Sequence, residues 1–344
     1  MRILLTVLFV LAAASDLHAE KRIGVIMTGD IPFYRAIHEA FVAELNRRSD
    51  GVEKIEIILQ RPFPNPISWS NSARKLIAFD VDLIVTYGSP AAQAVIHEKS
   101  SIPLVYAGLY EPDHAAVSAK HVTGCGFKVP LSSILRYFKR LKTVNSIGIV
   151  FSSVEEDSVR QYETMQSLAT QQNIKTERID IRSRTDLDKL KPIESEIVFM
   201  TGSSIAHLWL DDIITILDEK QVPVADIFPD DTESGVLMTL YQPSHTQGEM
   251  AAEMAWQILL GAKPADIFPD ETESGILITL YQPPHTQGEI AAEMAWQVLL
   301  GTKPADVAEH MFRDTELAVN LIQAKHLEIN FPIQLLIEAT TVIE

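Results

Sequence analysis

The stretch Ser146-Ile147-Gly148-Ile149-Val150-Phe151, followed by Ser152-Ser153-Val154 and the amphipathic run Glu155–Gln172, decides the fold. A run with so few polar side chains suits a strand covered on both faces, which is how a parallel sheet is built. Working outward, the same alternation recurs in both directions. Strands are predicted at Arg22–Met27, Lys54–Leu59, Asp82–Tyr87 and Pro103–Ala107 on one side, and at Lys175–Ile181, Glu196–Thr201 and Pro223–Ile227 on the other. Helical patterns lie between them at Tyr34–Arg47, Ser70–Phe79, Pro90–Lys99, Leu131–Lys142, Asp186–Leu190 and Ile205–Lys220. The order βαβα therefore occurs twice, before about residue 120 and after about residue 145, and predicts an α/β protein of two doubly wound, Rossmann-like lobes. Val122–Pro130, between them, reads as a crossover strand rather than a loose linker.

Composition agrees with that size. A chain of 344 residues, 22% charged and 47% hydrophobic, exceeds what one core usually holds. The net charge of -17 argues against nucleic acid as a partner, because phosphate binding needs clustered Lys and Arg. The single cysteine, Cys125, cannot form an internal disulfide. At the start, Met1-Arg2, the apolar run Ile3–Ala14 and the small Ala19 read as a secretory signal peptide, 1–19, cleaved after Ala19. The run is shorter than the ~20 residues that cross a bilayer, so a membrane anchor is the weaker reading.

Ligands of open α/β sheets bind beyond the carboxyl ends of the strands. Three strands here end in small or hydroxyl residues that open a helix: Tyr87-Gly88-Ser89-Pro90, Ser152-Ser153 ahead of Val154-Glu155, and Gly202-Ser203-Ser204 ahead of Ile205. Each offers backbone N–H groups, a hydroxyl and a positive helix end to a carboxylate, although each serine could simply cap its helix. Ser89, Ser153, Ser203 and Ser204 are therefore candidate ligand contacts. Tyr34 at the first helix, Tyr106 at a strand end and Tyr241 join them, with packing as the competing role for each. Trp69, Trp209, Trp256 and Trp296 are better explained as core or interface residues.

Residues Ala225–Pro264 and Ala265–Pro304 match at 33 of 40 positions. Each copy holds a strand start (Asp226–Phe228), an acidic turn, a second strand (Val236–Gln242) and an amphipathic helix from Thr246 to Leu260, in first-copy numbers. Two copies are too few for a solenoid, so the repeat reads as an internal duplication laid over a complete fold. Two near-identical segments then compete for one slot, and the surplus copy must pack on an edge or promote self-association. The acidic turns Asp230–Glu233 and Asp270–Glu273 lack the glycine and spacing of a calcium loop. No zinc-hydrolase histidine pair, phosphate loop or nucleophile elbow is present, so neither cofactor nor catalysis is expected.

Four stretches carry a resemblance: Thr86-Tyr87-Gly88-Ser89-Pro90-Ala91-Ala92-Gln93; Ile102-Pro103-Leu104-Val105-Tyr106-Ala107; Gly248–Ala255 with Gly261-Ala262-Lys263-Pro264; and a tail spaced by Asn320, Ala324, Leu327, Ile329, Pro332, Leu335 and Leu336. In these the chain resembles the periplasmic solute-binding proteins of ABC importers, in the family whose members bind tryptophan or related amino acids. The resemblance implies a type I periplasmic binding protein fold, with lobe 1 at 20–121 and lobe 2 at 122–228. A multi-strand hinge joins them; a helix from the 235–304 region returns to lobe 1, and 314–344 returns to lobe 2. Two copies compete to supply that helix. It also implies a small organic ligand, amino-acid-like or a carboxylate, gripped by hinge closure, and delivery to an ABC permease in the inner membrane by a monomeric protein. Relatives that hold an amino group carry an acid just after the strand begun by Pro223-Val224; Asp226 lies near that point, not in clean register. A sensor reporting to a membrane receptor is the alternative, and an enzyme on the same scaffold is the least favoured.

Overall fold

The computed structural model describes residues 20–50, 54–112, 121–228, 235–267, 316–339 and 341–343. The signal-peptide stretch, both acidic turns and the second strand and helix of the second copy fall outside the described residues, whereas the strand start expected at Asp266-Ile267 of that copy is helical instead.

The first lobe contains β1 (Lys21–Met27), α1 (Pro32–Ser49), β2 (Ile55–Gln60), α2 (Pro66–Ala78), β3 (Leu83–Tyr87), α3 (Ser89–His97), β4 (Leu104–Tyr110) and β5 (Val122–Phe127). Its strands form one parallel sheet in the order β2-β1-β3-β4-β5. Both faces are covered, which is why the strands read as apolar runs. Ile23, Val25 and Met27 of β1 face one way and pack with Ile37 and Phe41 of α1. Ile26 faces the other way, onto Ala73 and Leu76 of α2. Gly24, on that second face, leaves the room that the Leu76 methyls fill, 2.7 Å from where a Cβ would stand.

The second lobe follows: α4 (Leu131–Leu141), β6 (Ser146–Phe151), α5 (Glu156–Gln171), β7 (Lys175–Asp180), a 3-10 helix (Arg184–Leu190), β8 (Ile197–Met200), α6 (Ser204–His207), α7 (Leu210–Asp218) and β9 (Val224–Asp226). Then come β10 (Met238–Tyr241), α8 (Ser244–Leu259), α9 (Pro264–Ile267), β11 (Glu316–Asn320), α10 (Leu321–His326), α11 (Ile333–Glu338) and β12 (Thr341–Ile343). The second sheet runs β12-β11-β10-β9-β8-β6-β7, parallel except where β10 meets β11. Ile147 and Ile149 pack on the α4–α5 side and Val150 on the α7 side. Complete burial of each such isoleucine contributes about 1.5–3 kcal/mol.

Two details differ from the sequence expectation. The helix expected over Ile205–Lys220 is broken at Trp209, so α6 and α7 are separate. The segment at 184–190 is a 3-10 helix, its start closed by a capping box between Ser183 and Asp186.

The chain crosses between lobes at Phe127–Leu131, and again at Tyr241–Ser244, where it leaves β10 of the second sheet to lay α8 against α1 of the first lobe. The described strand and helix come from the first copy. Among the described residues no helix is long and apolar enough to cross a membrane. Because the first copy fills both positions, deleting 265–304 is expected to leave the far-UV circular dichroism and the melting temperature close to the parent's. Loss of cooperative unfolding in that deletion would show that the second copy is integral to the core.

Candidate functional site

The carboxyl ends of β1, β3, β4 and β5 meet those of β6, β8 and β9 across the lobe junction, and there the buried polar groups collect. Thr28, Ser89, Ser152, Ser158, Gln161, Thr201, Ser203, Ser204 and three carboxylates are almost fully buried: Glu155 is 1% exposed, Asp157 4% and Asp226 1%. Buried carboxylates are costly unless they are paired or hydrogen-bonded.

Glu155 is held by the helix that follows β8. It accepts from the Ser203 hydroxyl, from the Ser204 N–H at 2.9 Å and from the Ile205 N–H at 3.3 Å. The positive end of α6, expected to seat a ligand anion, is thus occupied by the chain's own carboxylate. Ser203 is the helix cap, its hydroxyl accepting from the Ala206 N–H at 3.1 Å. Burial raises the Glu155 pKa, while these donors act in the opposite direction. Asp157 has a poorer environment: it accepts from the Ser158 N–H at 3.2 Å, and burial together with the neighbouring Glu155 charge pushes it up to about 7. Among the described residues neither Glu155 nor Asp157 forms a salt bridge.

Asp226 is paired. Its Oδ2 meets His207 Nε2 at 2.7 Å, while Oδ1 accepts from the Ile227 N–H at 2.6 Å and the Phe228 N–H at 3.2 Å. Burial alone would lower the His207 pKa, but Asp226 and the Ser203 carbonyl outweigh it and raise it above the ordinary imidazole value.

The first lobe brings rings to this face. Phe33 stacks on Phe228 with centroids 4.3 Å apart and planes 13° from parallel. Tyr34 meets Phe228 edge-on at 6.0 Å, and Phe127 and His207 approach the same ring at 6.2 and 4.9 Å. The Tyr34 phenol is buried close enough to Asp157 and Glu155 that burial and both charges raise its pKa, against the Ser204 hydroxyl beside it. Tyr34 therefore stays protonated as a donor facing two acids. Arg160 reaches back across the junction from α5 to the Tyr110 carbonyl at 3.2 Å.

Among the described residues several buried polar atoms have no hydrogen-bond partner: Ser89 Oγ, Ser152 Oγ, Gln161 Nε2, and Nε and Nη1 of Arg160. Such atoms are rare in folded proteins, and these five gather at the junction.

The sequence candidates divide accordingly. Tyr34, Ser204 and Asp226 converge at the junction; Ser203 is there as a cap; Ser89 lies at the start of α3, behind Gly88. Ser153 is exposed, its N–H donating to Asp180 at 2.9 Å, and Glu155 rather than Ser153 is the cap residue of α5. Its buried neighbour Ser152 takes the position expected of it. Tyr106 packs with Ala92 and Leu109 on the α3 side of the sheet, over Gly124, and does not join the ring cluster. Tyr241 ends β10 opposite Glu316, at the crossing. Missed from sequence were Glu155, Asp157, Gln161 and Phe228. The acidic triplet Glu155-Glu156-Asp157 was a signal for the first two, but acids in a first helical turn are equally explained by the helix dipole.

No curated protein sequence is similar enough to match. Among solved structures, an ABC domain in complex with L-Trp from Streptococcus pneumonia superposes with a TM-score of 0.77 at 19% identity, covering 94% of this chain and 100% of that one. A conserved domain protein from Vibrio cholerae O1 biovar El Tor gives 0.76 at 19% identity, covering 94% and 99%. The ligand-free, open structure of a substrate binding protein with adhesive properties from Clostridium difficile gives 0.55 at 18% identity, covering 94% and 99%. These likenesses establish the fold. The family model described as "ABC transporter substrate binding protein" matches residues 49–279 and again 268–343, and the chain belongs to that family.

Proposed function

We propose that this is an exported periplasmic binding protein that captures an α-amino acid with an aromatic side chain between its lobes and delivers it to an ABC permease in the inner membrane. The observation that carries the ligand class is the buried acid pair Glu155–Asp157, without a salt-bridge partner among the described residues and faced by the Tyr34 phenol. The Arg160 guanidinium near Asp157 opposes part of that charge without closing an ion pair, and a ligand ammonium supplies the rest. At the start of α3, the unpartnered hydroxyl of Ser89 and the helix dipole suit the ligand carboxylate. The Phe33 and Phe228 rings touch each other at 4.3 Å, and parting the lobes frees their two faces for a planar side chain. Contacts to both lobes give the ligand its differential affinity for the closed state, which is the whole requirement for hinge closure. The L-Trp held by the streptococcal structure is in keeping with this chemistry.

Calorimetric titration with L-tryptophan, tryptamine and indole-3-propionate tests it. L-Tryptophan is expected to bind, and loss of either charged group to weaken binding about 30–100-fold, the equivalent of one charge-assisted contact. Ser89→Ala is expected to weaken L-tryptophan while leaving tryptamine, which has no carboxylate, unchanged. Ser203→Ala is a poor companion because it uncaps α6. Equal binding of indole-3-propionate and L-tryptophan would refute the acid pair as an ammonium site.

A further inference from the structure

We infer that the slot filled by β10 and α8 is a receptor for either copy of the repeat, so that 278–299 can replace 238–259 within the same chain. The inference goes beyond the ligand reading and does not depend on it.

The slot is demanding. α8 lies so close to α1 that a Cβ on Gly248 would collide with the Ile37 carbonyl and come within 2.8 Å of Ala40 Cβ and the Phe41 nitrogen. Beside it Gln247 joins two strands: its Oε1 accepts from the Gly108 N–H at 3.2 Å and its Nε2 donates to the Gly126 carbonyl at 3.0 Å. The Cys125 thiol donates to the Gln247 carbonyl, and Arg48 of α1 pairs with Glu253. Few helices would satisfy a glycine contact, a two-strand glutamine bridge and an ion pair together.

The second copy has each of these groups at the equivalent position: Gln287, Gly288 and Glu293. On the buried face of α8 only Met250 and Ile258 change, to Ile290 and Val298, and in β10 only Met238 changes, to Ile278. All three are close apolar swaps of the kind that cores absorb.

Connectivity does not forbid the exchange. With the first copy in place, 9 residues link Phe228 to β10 and 56 link α8 to β11; with the second, the links become 49 and 16. Loop entropy grows only with the logarithm of length, so lengthening one link is nearly offset by shortening the other. Both copies also lie within what the family model matches: its first match runs through the first copy to residue 279, and its second restarts at 268 and continues into the tail.

The test is a pair of steric blocks, Gly248→Leu and Gly288→Leu, made singly and together in the full chain. Gly288→Leu is expected to melt within about 1 °C of the parent, and Gly248→Leu only a few degrees lower, because the other copy takes the slot; the double variant is expected to lose its cooperative transition. Hydrogen exchange supplies the direct readout. In Gly248→Leu, peptides from 284–299 should gain protection and those from 244–259 lose it. The inference is overturned if Gly248→Leu alone is as damaged as the double variant, if the double variant remains intact, or if protection in Gly248→Leu stays on 244–259.

Discussion

Asp157→Asn is expected to raise the melting temperature of the ligand-free protein above pH 7 and, at the same pH, to weaken binding of an aromatic amino acid about 30-fold or more. The folded carboxyl titrates near 7, against an ordinary 3.8, because burial and Glu155 disfavour its charge. A raised folded pKa means that the folded state holds the proton more tightly than the unfolded chain. The sign follows: stability is greatest below the unfolded value, declines as pH rises, and levels off above about 7, with a ceiling near 4 kcal/mol. Asparagine keeps an acceptor for the Ser158 N–H and removes that penalty, so its advantage should widen from pH 5 to pH 8 and reach about 3–8 °C.

Binding carries the opposite sign. An ammonium beside Asp157 favours the charged carboxylate, so parent affinity should rise between pH 5.5 and 8 with release of a proton, while Asp157→Asn should give a flatter, weaker profile. Scanning calorimetry at two pH values and titration in buffers of different ionisation enthalpy check both halves. A variant destabilised at both pH values, with an unchanged binding profile, would mean that the carboxylate is structural. Stability withheld at a binding site until the ligand arrives is an ordinary consequence of pre-organised charge.

The strand positions were legible because a doubly covered sheet demands apolar residues on both faces, and β1, β3 and β6 meet that demand at almost every residue. The site was less legible because its groups lie far apart in sequence. Ser203 looks like an open anion seat until Glu155, 48 residues earlier, is seen to occupy it. Ser152 and Ser153 differ by one step at the turn after β6, enough to place one in the interior and the other in solvent. Phe228 has no local pattern to mark it; only the approach of the first lobe turns it into one half of a ring stack. The repeat exposes another limit. The two helices differ at few positions, so sequence cannot choose between them, whereas the fold places the first in the slot.

Gly88→Ala is expected to cost about 2–5 kcal/mol of first-lobe stability and to abolish measurable ligand binding, because backbone and space are both committed at that residue. Gly88 caps α3 with φ at 89° and ψ at 153°, a conformation that L side chains rarely adopt. A methyl there would also meet the Tyr34 hydroxyl and stand 2.6 Å from Thr28 Oγ1. Thr28 Oγ1 accepts from the Ala91 N–H at 3.2 Å and so helps to hold the first turn of α3. Displacing Thr28 loosens that turn, moves Ser89 and pushes Tyr34 away from the two acids, so one methyl disturbs the proposed carboxylate seat and the proposed ammonium side together. Gly261→Ala provides the control. Its φ is also positive, at 101°, but nothing lies within 4 Å of the added methyl, so only the backbone cost of about 1 kcal/mol should appear. Thermal melts and L-tryptophan titrations of the two variants separate the effects. Equal losses in both would show that backbone strain alone is responsible, and that Gly88 is not a close contact of the binding groups.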